Sequence, residues 1–388
     1  MSDRGEGHTE LEEPSAQDGP GAIQPEETGS GILIAALRLI ASLAIPFIGF
    51  YILYLAFDFL RDQDANRIVL VIVALLVGVF GIFGLYLGMD QLVNRLPENI
   101  RESVRPFVFV GPALVLLGVF LVYPAIRTVW ISFLDAKGDS WVGLENYGFV
   151  FTDEEMLRSI RNTIGWIIIV PFTAVSVGLI FAWMVDKLRR GEALAKSMIF
   201  LPMAISFVGA SIVWRFVYSF RPEGFGEQIG LLNGIWVGLG QEPVSWLLQE
   251  PWNNLLLMVI MIWLQTGFAM VILSAAIKAV PDDILEAARI DGATETQVFW
   301  KVVFPSILSS VVVVTTTMVI TVMKVFDIVF VMTTGQFGTE VIAERMIRWF
   351  FRLGHDGRGA AVAVVLFLAI IPIMLINVKR FRAEEAIR

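Results

Sequence analysis

The chain has 388 residues, 56% of them hydrophobic and 17% charged, with a mean hydropathy of +0.72. An ordinary soluble domain is about 45–50% apolar and about 25% charged, so these values exclude one and indicate a polytopic membrane protein. The formal net charge of −8 says little about partners, because much of the acid lies in one tail and in loops; the absence of Cys, with only His8 and His355 far apart, argues against disulfides, thiol chemistry and a Cys- or His-ligated metal.

In chain order, residues 1–30 are rich in Glu, Gly, Pro and Ser and nearly free of large apolar groups. Such a segment buries too little surface to offset its chain entropy, and a disordered acidic tail is expected. Apolar runs follow near residues 32–57, 68–89, 106–132, 160–185, 194–219, 254–277, 306–332 and 360–378. Each approaches the roughly 20 residues that a helix needs to cross a bilayer, which predicts an all-α chain with about eight transmembrane helices. Continuous apolarity without alternation favours helices over barrel strands. Three regions result: the tail 1–30, two N-terminal transmembrane helices within 31–105, and a larger transmembrane domain over 106–388. Basic residues such as Arg95, Arg101, Arg105, Lys187, Arg189, Arg190, Lys196, Lys278, Arg289, Lys301, Lys379, Arg380 and Arg382 outnumber those of the opposite loops. The positive-inside rule then puts both termini in the cytoplasm. The Arg-rich loop Gly335–Gly359 narrows that margin.

Between the last two long apolar runs before residue 332 lies a polar insert, 281–305. Pro281 suits a helix start and Asp282 and Asp283 suit its positive end. Leu285, Glu286, Ala287 and Ala288 are good helix formers, and Gly292 supplies the left-handed residue that ends helices. Thr294-Glu295-Thr296-Gln297 reads as a capping box opening a second short helix. Val298, Phe299, Val302 and Val303 share one face of it, and Pro305 marks re-entry into the membrane. Two short helices meeting at a glycine bend are expected, and by physics alone an interfacial connector of two spans is the favoured reading.

The string EAARIDGA followed by VFWKVVFP resembles the EAA loop of binding-protein-dependent ABC importer permeases, departing from the family pattern only at Val303-Phe304-Pro305. Residues 110–133 (VGPALVLLGVFLVYPAIRTVWISF), LENYGFVF, MIFLPMAISFVGASIVWRFVY and VFDIVFVMTTG resemble the sugar-permease branch, so the similarity covers roughly 106–388. The late loop Gly335–Thr339 is most similar to that of the long permease of α-glucoside importers. The resemblance implies a MetI-like, maltose-permease-like core in a prokaryotic inner membrane. It also implies that Glu286, Ala287, Ala288, Asp291 and Gly292 seat in a cytoplasmic ATPase subunit.

By the same resemblance, a mid-membrane sugar cavity would draw on Leu264, Gln265 and Phe268 from one helix and Met318, Thr321, Val322 and Val325 from the next, ordinary helix packing being the equal alternative for each. Lys324 and Asp327 are further candidates because charges in or near spans are functional by default; a mutual pair three residues apart is the competing reading. The implied partners are two ATPase subunits, a second permease, an extracytoplasmic sugar-binding protein and the lipid bilayer, with no nucleic acid. No G-x-x-x-x-G-K-[ST] string occurs, so no cofactor is expected on this chain, ATP and Mg being bound by the partner ATPase. The expected cargo is a disaccharide or α-glucoside such as maltose or trehalose, with another polar solute such as glycerol phosphate as the alternative. An ion-gradient-driven transporter would favour acids at the membrane midplane and repeated broken helices; neither is evident in the sequence.

Overall fold

The computed structural model describes residues 49, 51–61, 66–94, 98–188 and 190–385. The expected tail 1–30 and most of the first expected span lie outside those residues, as do Arg95 and Arg189. Among the described residues the chain is helical, with no strand beyond one isolated bridge between Leu134 and Trp141. It divides into two compact units, Met1–Leu121 and Val122–Arg388.

The first unit contains α1 (Tyr51–Leu60), α2 (Arg67–Leu76), α3 (Ile82–Val93) and α4 (Glu98–Leu117). The Asn66 side chain caps α2 by accepting from the Ile68 N–H. Tyr86 of α3 stacks on Phe109 of α4.

The second unit runs through α5 (Tyr123–Ile131), α6 (Glu145–Thr152), α7 (Glu154–Asp186), α8 (Glu192–Phe200), α9 (Phe207–Val217), α10 (Leu231–Gly238), α11 (Trp252–Lys278), α12 (Asp282–Ile290), α13 (Glu295–Val298), α14 (Phe304–Ser306), α15 (Leu308–Met323), α16 (Asp327–Thr333), α17 (Ile342–Ile347) and α18 (Asp356–Glu385). Its axis is the pair α7 and α11. Asp153 caps α7 by accepting from the Met156 N–H, and Glu154 and Glu155 occupy its first turn. Ala174, Gly178 and Ala182 recur every four residues on the buried face of α7, the spacing that lets membrane helices approach closely. At Gly178 a Cβ would lie 2.5 Å from the Ala269 Cβ of α11. The resulting core joins Ala174, Leu179, Ala269, Met270, Leu273, Val303, Val314 and Met318.

Two expected spans are broken. The run near 194–219 forms α8, a 3₁₀ turn at Leu201–Ala204 and α9, with a bend of 99° between the halves. Pro202 lies in that turn, Ile205 is extended, and Ser206 caps α9 by accepting from the Gly209 N–H. The run near 306–332 begins earlier, at Glu295, bends by 66° before Leu308, and stops at Met323. Helical geometry resumes only at Asp327. With each bent pair counted once, the described residues hold up to seven spans.

Candidate functional site

Residues 281–293 form a helix whose ends are fixed locally. Pro281 precedes α12 in an extended conformation, Asp282 and Asp283 fill its first turn and Arg289 its last. At the carboxyl end the Ala293 N–H donates to the Ala288 carbonyl and the Gly292 N–H to the Arg289 carbonyl. This is the paired Schellman arrangement that a left-handed residue closes, and Gly292 has φ +83°. Nothing lies near the place a Gly292 side chain would occupy, so the backbone angle and not space demands glycine there.

The next turn carries the expected capping box: the Thr294 N–H donates to Gln297 Oε1 at 2.8 Å, and the Gln297 N–H to Thr294 Oγ1 at 3.4 Å. Arg289 Nε reaches back across the bend to Glu295 Oε1 at 2.9 Å. The segment after the bend differs from a separate short helix. It continues through a π turn, Phe299–Val303, and through Pro305, and the direction changes only at Ile307.

α12 has two faces. Leu285, Ala288 and Ala293 pack on the core around Val298, Phe299 and Val303. Glu286, Ala287, Asp291 and Gly292 face outward. Ile290, which sequence reasoning did not single out, stands 85% exposed one turn from Glu286 and Ala287. Of the five residues expected to dock, four therefore share the open face, and Ala288 supports it from beneath.

The second feature is a cavity of about 380 Å³ where the first broken helix meets α11 and the start of α16. Met203, Ile205, Ser206, Phe207 and Val208 line it from the first break, Leu264 and Gln265 from α11, and Asp327 from the start of α16. Ligand pockets are typically about 300–1,000 Å³. Gln265 is 8% exposed, and among the described residues its side-chain amide makes no hydrogen bond. Asp327 likewise has no ion pair among them. The amide atoms of Gln265 are not among the buried unpartnered ones; they are open to the cavity, where a solute hydroxyl can bond them.

The remaining candidates lie elsewhere. Phe268 and Met318 belong to the core on the α12 side, and Val322 and Val325 to the core around Trp166 and Leu257. Thr321 Oγ1 donates to the Thr317 carbonyl within its own helix. Lys324 lines a different depression with Phe326, Ala343, Met346 and Phe367. No Lys324–Asp327 pair forms, because Lys324 ends α15 and Phe326 leaves helical geometry (φ −135°) before α16 begins. Three-residue proximity holds only along an unbroken helix. The five residues at the 203–208 break were not legible as cavity lining; the signal available was Pro202 followed by Ser206, a breaker and then a cap.

Comparison with known proteins identifies the family and the fold. The sequence profile of the family described as binding-protein-dependent transport system inner membrane component matches residues 174–380. The osmoprotective compounds uptake permease protein GgtC of Synechocystis sp. is 55% identical over 72% of this chain and 100% of that protein. The alpha-glucoside transport system permease protein AglF of Rhizobium meliloti is 49% identical over 74% of this chain and 85% of its own length. The trehalose/maltose transport system permease protein MalF of Thermococcus litoralis is 27% identical, covering 76% and 99% respectively. Among solved structures, a chain of a bacterial alginate ABC transporter in complex with an alginate pentasaccharide-bound periplasmic protein superposes with a TM-score of 0.64. It is 20% identical and covers 73% of this chain and 95% of that one, a likeness of fold.

Proposed function

Because the chain belongs to the family of binding-protein-dependent transport system inner membrane components, we propose that it is the membrane subunit of an ATP-driven importer for a small hydroxyl-rich sugar, a disaccharide or α-glucoside. The observation that carries this reading is α12, a short helix closed at its carboxyl end that, with the bend after it, presents Glu286, Ala287, Ile290 and Gly292 outward. Relief made of small residues beside one protruding isoleucine suits a cleft on a partner. An exposed large apolar group of this kind contributes most when a partner buries it.

In this reading the partner is a cytoplasmic ATPase, present twice, which binds ATP and Mg. A second permease and an extracytoplasmic sugar-binding protein complete the assembly, and both termini of this chain lie in the cytoplasm. ATP-driven closure of the ATPase pair moves α12 as a rigid body, because the Schellman closure, the capping box and the Arg289–Glu295 pair resist deformation. Binding shifts the inward and outward states only through its differential affinity for them.

The sugar reading draws support from the names of AglF and MalF and from the cavity. Gln265 offers one acceptor and two donors to hydroxyls, Asp327 offers acceptors, and Leu264 and Phe207 offer apolar walls.

Co-purification tests the docking. Solubilised from cells that also produce the ATPase, the wild-type chain should retain it, whereas Gly292→Val and Ile290→Asp should release it at unchanged membrane abundance. Retention of the ATPase by both variants would defeat the docking surface.

A further inference from the structure

The cytoplasmic ends of three helices meet at one lysine. Lys278, the last residue of α11, lies with its Nζ 2.5 Å from Glu192 Oε1 on α8 and 3.6 Å from Asp186 Oδ1 on α7. Lys196, one turn along α8, binds the same Glu192 oxygen at 2.6 Å. Gly191 precedes α8 with φ +80° and supplies no side-chain cap. The first turn of α8 is thus held through Glu192.

Further along, α8 lies flush on α11 at Gly267, where a Cβ would meet the Ile199 carbonyl oxygen at 2.5 Å and Phe200 Cα at 2.7 Å. The helix then runs directly into the break whose residues Met203, Ile205 and Ser206 wall the cavity. In the other direction, only Ala279, Val280 and Pro281 separate Lys278 from α12. Val280 is buried, and Leu285 and Ala288 of α12 rest on the same core as Ala195 and Ile199 of α8.

We propose that the Asp186–Glu192–Lys196–Lys278 cluster is a clasp that makes α8 follow α11 and α12, so that displacement of α12 reaches the cavity wall at Met203–Val208. Exposed ion pairs add little to folding stability, and Lys278 is about half exposed. What the clasp supplies is direction. One cation bound to carboxylates on two other helices fixes their ends relative to the residue that leads into α12. Lys278 and Glu192 are positioning residues, acting on the solute only through α8. The proposal rests on the docking of an ATPase at α12.

The test uses the assembled importer in lipid vesicles, reading solute uptake and nucleotide hydrolysis side by side. Lys278→Met and Glu192→Gln should retain the ATPase and hydrolyse at close to the wild-type rate, while uptake per nucleotide falls about tenfold. Lys278→Arg should restore coupling, since a guanidinium serves both carboxylates. The chain has no cysteine, so a Glu192→Cys, Lys278→Cys pair is unique within it. Uptake by this variant should be low until a short bifunctional thiol reagent bridges the pair, and should then recover. Wild-type uptake per nucleotide in Lys278→Met, or no recovery after bridging, would overturn the clasp. If α12 of the wild-type assembly carries no ATPase at all, the docking reading itself falls, and the clasp with it.

Discussion

Gln265 and Gly292 show how differently two single residues matter. Gly292 makes no side-chain contact, yet its left-handed backbone closes α12, and a non-glycine residue there costs roughly 1–2 kcal/mol. A β-branched residue is worse placed than alanine, which is why valine is the substitution chosen to release the ATPase. Gln265 is the reverse case, a side chain whose amide finds no partner among the described residues. Removing it leaves no hydrogen-bonding group unpaired, so Gln265→Ala should cost folding stability only the packing of its methylenes, about 1–2 kcal/mol. A hydrogen-bonded solute would lose about 1 kcal/mol or more, which raises the half-saturating concentration for uptake roughly five- to tenfold. Equal uptake curves for the variant and the wild type would remove Gln265 from the solute path.

At the scale of elements, α7 and α11 form the closely packed part and the two broken helices carry the irregular backbone. Gly178 sets the first. A valine there must displace Ala269 or the α11 backbone, with the Met270 N and the Thr266 carbonyl oxygen both 3.0 Å from the would-be Cβ. Overpacking of this kind costs about 1–3 kcal/mol, so Gly178→Val should lower the thermal midpoint in detergent by several degrees and depress uptake with it. An unchanged midpoint would show that α7 and α11 have room to separate. The first broken helix follows the rule that irregular backbone in a membrane protein lines a cavity, whereas the second bend, at Ile307, is packed into the core. The freed groups at the first break are taken up locally: the Ile205 N–H donates to the Pro202 carbonyl and the Gly209 N–H to Ser206.

For the second unit as a whole, a polar network joins the N-terminal parts of α7 and α11 to α16 and α17. Asn162 of α7 donates to the carbonyls of Gly338 and Glu340, Asn253 of α11 to that of Phe337, and Thr333 pairs with Thr339. Arg345 binds Glu155 at 2.7 Å and lies 3.6 Å from Glu340. Glu344 is buried beside them, with one carboxylate oxygen unpartnered among the described residues. Burial pushes its carboxyl above the usual range, against the opposing pull of Arg345 and Arg348. A raised folded-state pKa means that the neutral form is favoured in the fold. Its contribution to stability is complete below the unfolded-state pKa and is lost as pH rises through the folded-state value. Glu344→Gln should therefore match the wild type in acid and exceed it in thermal midpoint near neutral pH and above. Parallel midpoint curves from acid to mildly alkaline pH would contradict this.

The sequence determined the class of molecule and the short helix α12. Span length, charge distribution and the caps around Gly292 and Thr294 are local properties, set by residues a few positions apart, and α12 formed where Pro281 and Gly292 bracket it. The cavity was legible only in part: Leu264, Gln265 and Asp327 meet there, but Met203–Val208 join them through a 99° bend whose direction no local pattern encodes. Tertiary structure alone decided that Met318, Val322 and Val325 are core, that Lys324 and Asp327 face different hollows, and that Lys278 reaches Glu192. A continuously apolar helix presents similar chemistry on every side, so which face meets a cavity follows from helix packing and from the breaks.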